Sequence, residues 1–389
     1  MSSKSPHGTT VYVWLISLSL ILHVFNDLEI GGLKLFQIPA AIAFIIPLFF
    51  VYRLGKVQMY SYLFIIFTFI SAFFSPYPEA LSKALTLMIV LGACAALPKC
   101  KYDQIIKISN CLIPLPLLFL SINLRSNISY RFTGFYNDPN YLCTTLLVFL
   151  FLILTGIYTF KNKIIKTVLI FEIITIITIT AATLSRTGLT CIALMIVISA
   201  WELIKKYKFI SIALLTAGII YICSDTPQAI LEVIKQIESR EDNAGDFSSA
   251  SELRFEISMG GVAYVISHPL QIPLGMGIGA VGHWEYFDSE IKDNHIDHNT
   301  LTASFSEQGA IGFILYLLIL YTTLKTNWRL PSNNRFKALR LGAISTIFIF
   351  SLSINQMTYL PFWWLLFLLN NKTDENYENP SYRRFREIR

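Results

Sequence analysis

Two stretches, YLCTTLLVFLFLILTGIYTF at residues 141–160 and TVLIFEIITIITITAATL at residues 167–184, decide the fold class. Each has close to the ~20 apolar residues that an α-helix needs to cross roughly 30 Å of hydrocarbon. The chain of 389 residues is 54% hydrophobic and only 14% charged, whereas soluble domains are about one quarter charged. This composition excludes an ordinary soluble globular protein and predicts an all-α polytopic membrane protein.

Similar apolar runs recur along the chain and predict about twelve transmembrane helices. They cover approximately residues 10–26, 36–52, 59–75, 83–98, 104–121, 141–160, 167–184, 188–204, 209–224, 299–324, 340–356 and 358–371. No polar linker separates two hydrophobic blocks, so we expect one membrane domain over residues 1–389. One long loop, residues 224–298, lies between the ninth and tenth predicted spans, and a basic tail follows at residues 372–389.

Basic residues are concentrated in every second gap between the apolar runs. These gaps include YRLGK, KNKIIK, ELIKKYK and the tail PSYRRFREIR. Short loops rich in lysine and arginine face the cytoplasm in membrane proteins. The pattern therefore predicts that both termini lie inside and that the long loop lies outside. The net charge of +6 reflects this orientation and does not indicate a nucleic-acid partner.

Arg186 lies on the predicted outer side, in the tetrapeptide SRTG at residues 185–188 between two apolar runs. A guanidinium at the mouth of a helical hairpin is energetically costly and is by default a candidate for function. The alternative is an arginine whose side chain reaches lipid headgroup phosphates. A second outer arginine, Arg131, begins the segment RFTGFYNDPN, which has the Gly, Asp-Pro and Asn residues of a turn that precedes a helix.

The long loop contains two recognisable parts. Residues 252–267 have the apolar spacing of an amphipathic helix near the membrane surface, with Arg254 near its start, and His268-Pro269 ends the pattern. The glycine-rich stretch PLGMGIGAVG follows at residues 273–282. Glycines allow a close approach of the backbone, so the amide groups there are candidates for contact with an oxyanion.

The loop closes on His298, Asn299 and, further along the next predicted helix, Glu307. A histidine has a pKa near neutrality and can receive the proton of a hydroxyl group. The alternatives are a surface histidine with no role, or a metal cluster formed by Asp293, His295, Asp297 and His298. The H-x-x-H spacing is common by chance, so we expect no metal and no cofactor.

Arg131, Arg186, Arg254 and His298 all lie on the predicted outer face. Arginine recognises phosphate in a bidentate manner and stays charged at any working pH. A lipid-linked diphosphate fits this set, because its tail would lie among the helices and its charge would face the arginines. Cationic groups that are already in position can stabilise a leaving diphosphate without a metal.

In order along the chain, several segments resemble the O-antigen ligase and O-antigen polymerase superfamily of bacterial inner membranes. They are R-F-T-G-F-Y-N-D-P-N (131–140), S-R-T-G (185–188), R-F-E-I-S-M-G (254–260), P-L-G-M-G-I-G (273–279), H-N-T-L (298–301) and E-Q-G-A-I-G (307–312). The resemblance implies a metal-independent, inverting glycosyltransferase of the membrane-embedded C class, with its active site at the periplasmic face. It implies catalytic roles for His298, Arg186 and Arg254, and binding of diphosphate or glycan by Arg131, Arg186, Arg254, Asn299 and Glu307.

The implied donor is an undecaprenyl-diphosphate-linked glycan, and membrane lipids surround the protein. In a polymerase the acceptor is a lipid-linked repeat unit, and a chain-length regulator protein is a further candidate partner; in a ligase the acceptor is the lipid A core. The segment G-F-Y-N-D-P-N-Y at residues 134–141 favours the polymerase. Ligases often carry an R-x-x-x-W pattern, whereas Met259 and Gly260 stand near that place here. A flippase or other transporter of lipid-linked oligosaccharide is the alternative from another functional class.

Overall fold

The computed structural model describes residues 7–49, 54–126, 132–206, 258–281, 283, 286–287, 299–332, 334 and 336–371. Within these ranges the regular structure is almost entirely helical, with one antiparallel hairpin that pairs Glu29 with Lys34 and Ile30 with Leu33. The helices are α1 (His7–Leu22), α2 (Gln37–Ile45), α3 (Lys56–Phe74), α4 (Ala80–Cys94), α5 (Tyr102–Leu112), α6 (Pro114–Ser126), α7 (Pro139–Thr159), α8 (Lys163–Ala182), α9 (Arg186–Lys206), α10 (Ser258–Ser267), α11 (Thr300–Trp328), α12 (Lys337–Ser351) and α13 (Leu360–Leu369). The hairpin strands are β1 (Glu29–Ile30) and β2 (Leu33–Lys34).

Six helical segments within the described ranges are long and apolar enough to cross a membrane. They are Lys56–Phe74, Ala80–Lys99, Tyr102–Leu124, Pro139–Thr159, Lys163–Ala182 and Thr300–Trp328. The prediction of an all-α, multi-pass membrane protein is therefore confirmed. The number of twelve spans and the orientation of the chain stay predictions, and the predicted ninth span, 209–224, lies outside the described residues.

Helices α7 and α13 form the centre of the bundle. In the most apolar stretch of α7, 78% of the residues are buried, whereas in that of α8 only 28% are buried. Every residue of α13 is buried, including Trp363 and Trp364. A helix that is apolar on all sides is stable when protein covers it. Helix α8 instead exposes isoleucine and phenylalanine side chains on one side, as expected for contact with lipid.

We call the end of the bundle that carries residues 132–138, 183–185 and 352–359 the outer end, after the orientation that the charge pattern predicts. The opposite end is the inner end. There the buried Arg340 of α12 donates hydrogen bonds to the carbonyl oxygens of Leu369 and Asn371. A cation at the end of α13 complements the unpaired carbonyl groups and the negative end of the helix dipole. Arg340 therefore has a structural role at the inner end of the bundle.

Helix boundaries differ from the predicted spans at two places. The predicted span 104–121 consists of α5 and α6, which meet at Ile113 before Pro114, because proline fits the first position of a helix and not its interior. The predicted spans 340–356 and 358–371 left almost no connection between them. In the structure α12 ends at Ser351 and α13 begins at Leu360, so residues 352–359 form a polar turn at the outer end.

Candidate functional site

Two of the predicted motifs, RFTGFYNDPN and SRTG, meet at the start of α7. Asp138 caps α7, since its carboxylate accepts a hydrogen bond from the Asn140 amide at 2.7 Å, and Pro139 occupies the first helical turn. This is the arrangement that the Asp-Pro-Asn sequence favours locally. The residue after Arg131, Phe132, donates its amide hydrogen to the carbonyl of Ala182 at 3.1 Å. The segment 132–140 therefore lies against the hairpin between α8 and α9.

Ser185 holds the two motifs together at the start of α9. Its hydroxyl donates to Asn140 Oδ1 at 2.6 Å and accepts from the amide of Gly188 at 3.0 Å. The preceding residue, Leu184, has φ of 51°, a backbone conformation that costs free energy in a residue with a side chain. Further along the turn, a Cβ at Gly188 would overlap Cys143 of α7. Glycine therefore allows α9 to approach α7 closely.

This turn places Arg186 as the first residue of α9, with an exposed side chain. A cation at the positive end of a helix dipole is electrostatically unfavourable by itself. The same position becomes favourable when an anion binds, because the guanidinium and the positive end of the helix dipole both attract it. Arg186 is therefore exposed at a position where a bound anion would be stabilised.

Asn299 and Thr300 join the same region from α11. Asn299 caps this helix, since its Oδ1 accepts from the amides of Leu301 and Thr302 at 2.8 and 3.3 Å. The hydroxyl of Thr300 donates to the carbonyl of Ile354 in the turn 352–359 at 2.6 Å. Asn299 therefore has a helix-capping role in addition to the substrate contact predicted for it.

Sequence reasoning missed the polar residues of the turn 352–359. Gln356 contacts both α7 and α11. Its side-chain Nε2 donates to Thr144 Oγ1, and its backbone amide donates to Thr300 Oγ1, each at 3.1 Å. Tyr141 donates its hydroxyl to the carbonyl of Asn355 at 2.7 Å. The only signal in the sequence was the polar stretch SINQMTY inside an apolar region.

A second missed group is a buried network around His23 and Tyr136. The Tyr136 hydroxyl donates to the carbonyl of His23 at 2.7 Å and lies 2.9 Å from Thr145 Oγ1, which is 2.7 Å from the Tyr359 hydroxyl. Burial raises the pKa of Tyr136, so this hydroxyl keeps its proton and acts as a donor. The network fixes the segment 132–138 against His23, which follows α1, against α7 and against the start of α13.

The glycine-rich stretch and Glu307 belong to one structural unit. Helix α11 is broken at Gly309, which has φ of 67° and ψ of −174°. The carbonyls that the break leaves unpaired accept from other amides: Met276 donates to Ser306 and Gly277 to Glu307, both at 2.8 Å. The amide of Ala310 donates to the Ile272 carbonyl at 2.7 Å.

This pairing shows that the amides of Gly275, Met276 and Gly277 serve packing and do not face an oxyanion. The amides of Met276 and Gly277 are bound to α11, and the amide of Gly275 donates to Gln271 at 2.6 Å. The glycines are needed for close packing, since a Cβ at Gly275 would lie 2.5 Å from the Gln308 amide nitrogen. Glu307 is buried at this junction, and its carbonyl also accepts from Ser71 of α3 at 2.8 Å.

A further cation, Lys83 of α4, lies near the same unit. Its ammonium group donates to the Tyr77 hydroxyl at 2.9 Å and lies 4.0 Å from the Glu79 carboxylate and 3.4 Å from the Gly279 carbonyl. The Tyr77 hydroxyl in turn donates to Glu79 at 2.9 Å. Lys83 is not among the predicted site residues, because the sequence predicts only a membrane span over residues 83–98.

Three of the predicted site residues are described, and three are not. Arg186 begins α9, Asn299 caps α11 and Glu307 lies within α11. The starts of α7, α9 and α11 are connected by hydrogen bonds through Ser185, Asn140, Thr144, Gln356 and Thr300. Arg131, Arg254 and His298 lie outside the described residues, as does the alternative metal cluster of Asp293, His295, Asp297 and His298.

The fold and the cluster at the outer end define a multi-pass helical membrane protein with a polar site built from several helix starts. Residues 171–317 match the model of a protein family described as O-antigen ligase. The resemblance to the O-antigen ligase and polymerase superfamily is confirmed over these residues. The match includes Arg186, the glycine-rich stretch and the first part of α11. A comparison with curated proteins gives no match.

Proposed function

We propose that this protein is a periplasmic-face glycosyltransferase of the bacterial inner membrane that uses an undecaprenyl-diphosphate-linked glycan as donor. The family match supports ligase- or polymerase-type activity on lipid-linked glycans. The observation that carries the proposal is the position of Arg186, exposed at the first residue of α9. A cation and the positive end of a helix dipole together favour a bound phosphate group.

In the proposed reaction a hydroxyl group of the acceptor sugar attacks the anomeric carbon of the donor. The new carbon–oxygen bond forms as the bond to the diphosphate breaks, which inverts the configuration. Arg186, with Arg131 and Arg254 as further candidates, stabilises the charge that the leaving diphosphate develops. His298 receives the proton of the attacking hydroxyl or orients that hydroxyl. Asn299 and Glu307 are candidates for glycan contacts, and the mechanism uses no metal.

We propose the polymerase reaction, in which the growing glycan moves to the next lipid-linked repeat unit. The segment 134–141 supports this choice, and the structure joins it to the Arg186 turn through Asn140 and Ser185. A chain-length regulator protein would then be a partner. The ligase reaction, with the lipid A core as acceptor, is the second candidate, and the family match is compatible with both reactions.

Deletion of the gene in its host, followed by electrophoresis of the lipopolysaccharide, separates these reactions. Loss of the polymerase leaves a core that carries one repeat unit, whereas loss of the ligase leaves a core without glycan and lipid-linked glycan on the periplasmic side. Accumulation of lipid-linked glycan on the cytoplasmic side would indicate the flippase alternative. An unchanged banding pattern would contradict both transferase reactions.

Complementation of the deletion strain tests the site. We expect Arg186→Ala and His298→Ala to restore no glycan bands at normal protein levels, because charge stabilisation and hydroxyl activation are lost. Arg329→Ala is the matched control, since this arginine is also exposed but lies at the inner end after α11. It should restore the wild-type pattern. Full activity of Arg186→Ala would remove that residue from the proposed site.

A further inference from the structure

Gln356 lies in the turn 352–359, and none of its surface is exposed. A buried amide needs hydrogen-bond partners, because an unpaired polar group loses its water without compensation. The side-chain Nε2 of Gln356 donates to Thr144 Oγ1, and its backbone amide donates to Thr300 Oγ1. One residue therefore binds the second turn of α7 and the first residue of α11.

The partners of Thr144 fix the orientation of the Gln356 amide. The Thr144 hydroxyl donates its single hydrogen to the carbonyl of Asn140 at 3.1 Å, so it offers only lone pairs to Gln356. The NH₂ group of Gln356 must face Thr144, and its Oε1 faces away. Among the residues that the structure describes, this buried Oε1 has no hydrogen-bond partner.

Stability alone does not explain a glutamine at this position. A methionine has similar length, would fill the same volume and would leave no unused acceptor. The Thr144 hydroxyl would keep its bond to Asn140 in that case. What only the amide supplies is a directed link between two helix starts.

The hydrogen bonds of Gln356 connect two parts of the proposed site. On the α7 side, Thr144 is bound to Asn140, which holds Ser185 and therefore the start of α9 at Arg186. On the α11 side, Thr300 follows Asn299 directly, and His298 precedes them in the sequence. Gln356 thus connects the helix start that carries the proposed phosphate ligand with the helix start that follows the proposed base.

We propose that Gln356 is a positioning residue for glycosyl transfer: its Nε2–Thr144 hydrogen bond sets the position of the Arg186 helix start relative to the start of α11. This inference rests on the proposed function. Reacting groups must be held within about 1 Å of their productive geometry, and a displacement of that size can reduce a rate about 100-fold. Donor binding depends on the arginines and should not change.

The test uses the purified full-length protein in lipid nanodiscs with an undecaprenyl-diphosphate-linked glycan as donor. Donor titration counts the functional binding sites, and turnover is expressed per donor-binding site, which corrects for any unfolded fraction. We expect Gln356→Met to bind the donor with wild-type affinity and to lose at least 10-fold in turnover. Its melting temperature should stay within about 3 °C of the wild type.

Variants of Thr144 show whether the effect passes through this hydrogen bond. Thr144→Val should lose turnover as Gln356→Met does, and Thr144→Ser, which keeps the hydroxyl, should retain it. The double variant should be no slower than the slower single variant, because both remove the same link. Gln58→Met is the matched control: this buried glutamine donates to Ala95 and accepts from Gly55 at the inner end, and its loss should leave turnover per site unchanged.

Three outcomes would overturn the inference while glycosyl transfer by the wild type stands. They are unchanged turnover per site in Gln356→Met, multiplicative losses in the double variant, or an equal loss in Gln58→Met. Absence of turnover in the wild-type protein with both acceptor classes would instead refute the proposed function, and the inference would fail with it.

Discussion

Replacement of Gly309 by alanine tests the physical account of the break in α11. The backbone conformation of Gly309, with φ of 67° and ψ of −174°, belongs to a region that only glycine adopts readily, and another residue costs of order 1–3 kcal/mol there. An added Cβ would also lie 2.5 Å from the carbonyl oxygen of Pro273 and 2.6 Å from the amide nitrogen of Gly275. Both contacts are with backbone atoms, so the glycine-rich stretch has to move.

That movement strains the three hydrogen bonds that tie the stretch to α11, from Met276 to Ser306, from Gly277 to Glu307 and from Ala310 to Ile272. Each contributes about 0.5–1.5 kcal/mol. Together with the backbone term, we expect Gly309→Ala to lower the free energy of unfolding by roughly 3–7 kcal/mol. At about 2 °C per kcal/mol for a chain of this size, the melting temperature should fall by roughly 6–14 °C.

The measurement is thermal unfolding of the purified protein in detergent, followed by tryptophan fluorescence. Gly31→Ala is the matched control, because Gly31 also has a positive φ, 60°, but an added Cβ there meets nothing within 4 Å. Only the backbone term of about 1–2 kcal/mol applies, and the expected decrease is about 2–4 °C. Equal melting temperatures for the two variants would show that the glycine-rich stretch does not hold the broken helix.

Three further predictions concern the contacts at both ends of the bundle. Arg340→Met should lower the free energy of unfolding by about 2–4 kcal/mol, since the last carbonyls of α13 lose a charged donor, whereas Arg329→Met on the surface should change it by less than about 0.5 kcal/mol in the same thermal assay. Ser185→Ala should weaken donor binding about 10-fold in a titration, because the α9 cap and the hydrogen bond to Asn140 are lost. Unchanged donor affinity would show that this turn has no part in phosphate binding. Tyr136→Phe should cost about 1–3 kcal/mol, because the His23 carbonyl and Thr145 lose a buried partner, and a melting temperature equal to that of the wild type would contradict that role.

Chelation of divalent metals should leave the turnover of the purified enzyme unchanged, because the proposed mechanism stabilises the diphosphate with arginines. The measurement compares glycan transfer with and without a chelator after dialysis. Inhibition that added metal reverses would support the alternative cluster of histidines and aspartates at the end of the long loop.

The local features of the site could be predicted from the sequence. The Asp-Pro-Asn segment at residues 138–140 caps and starts α7 as predicted, and Arg186 stands at the start of a helix after a short turn. His268-Pro269 ends α10 at Ser267. These outcomes depend on the chemistry of neighbouring residues, which a single sequence states directly. The roles of Arg131, Arg254 and His298 stay predictions.

The contacts between distant segments could not be predicted in the same way. Gln356 is 212 positions from Thr144, and Ser71 is 236 positions from Glu307, so no local pattern relates them. The glycine-rich stretch fits contact with an oxyanion as well as close packing, because glycine suits both. Only the position of α11 shows that packing uses the amides of Met276 and Gly277.

The sequence by itself determined the membrane class of this protein, its helical composition and the starts of its helices, because the free energy of burial in lipid and the capping of helix ends depend on local residue type. The tertiary structure decided which helix starts meet, which glycines are needed for packing and which polar side chains connect the segments of the site. These features arise from packing between segments far apart in the chain, where one buried amide such as that of Gln356 can join two helix starts.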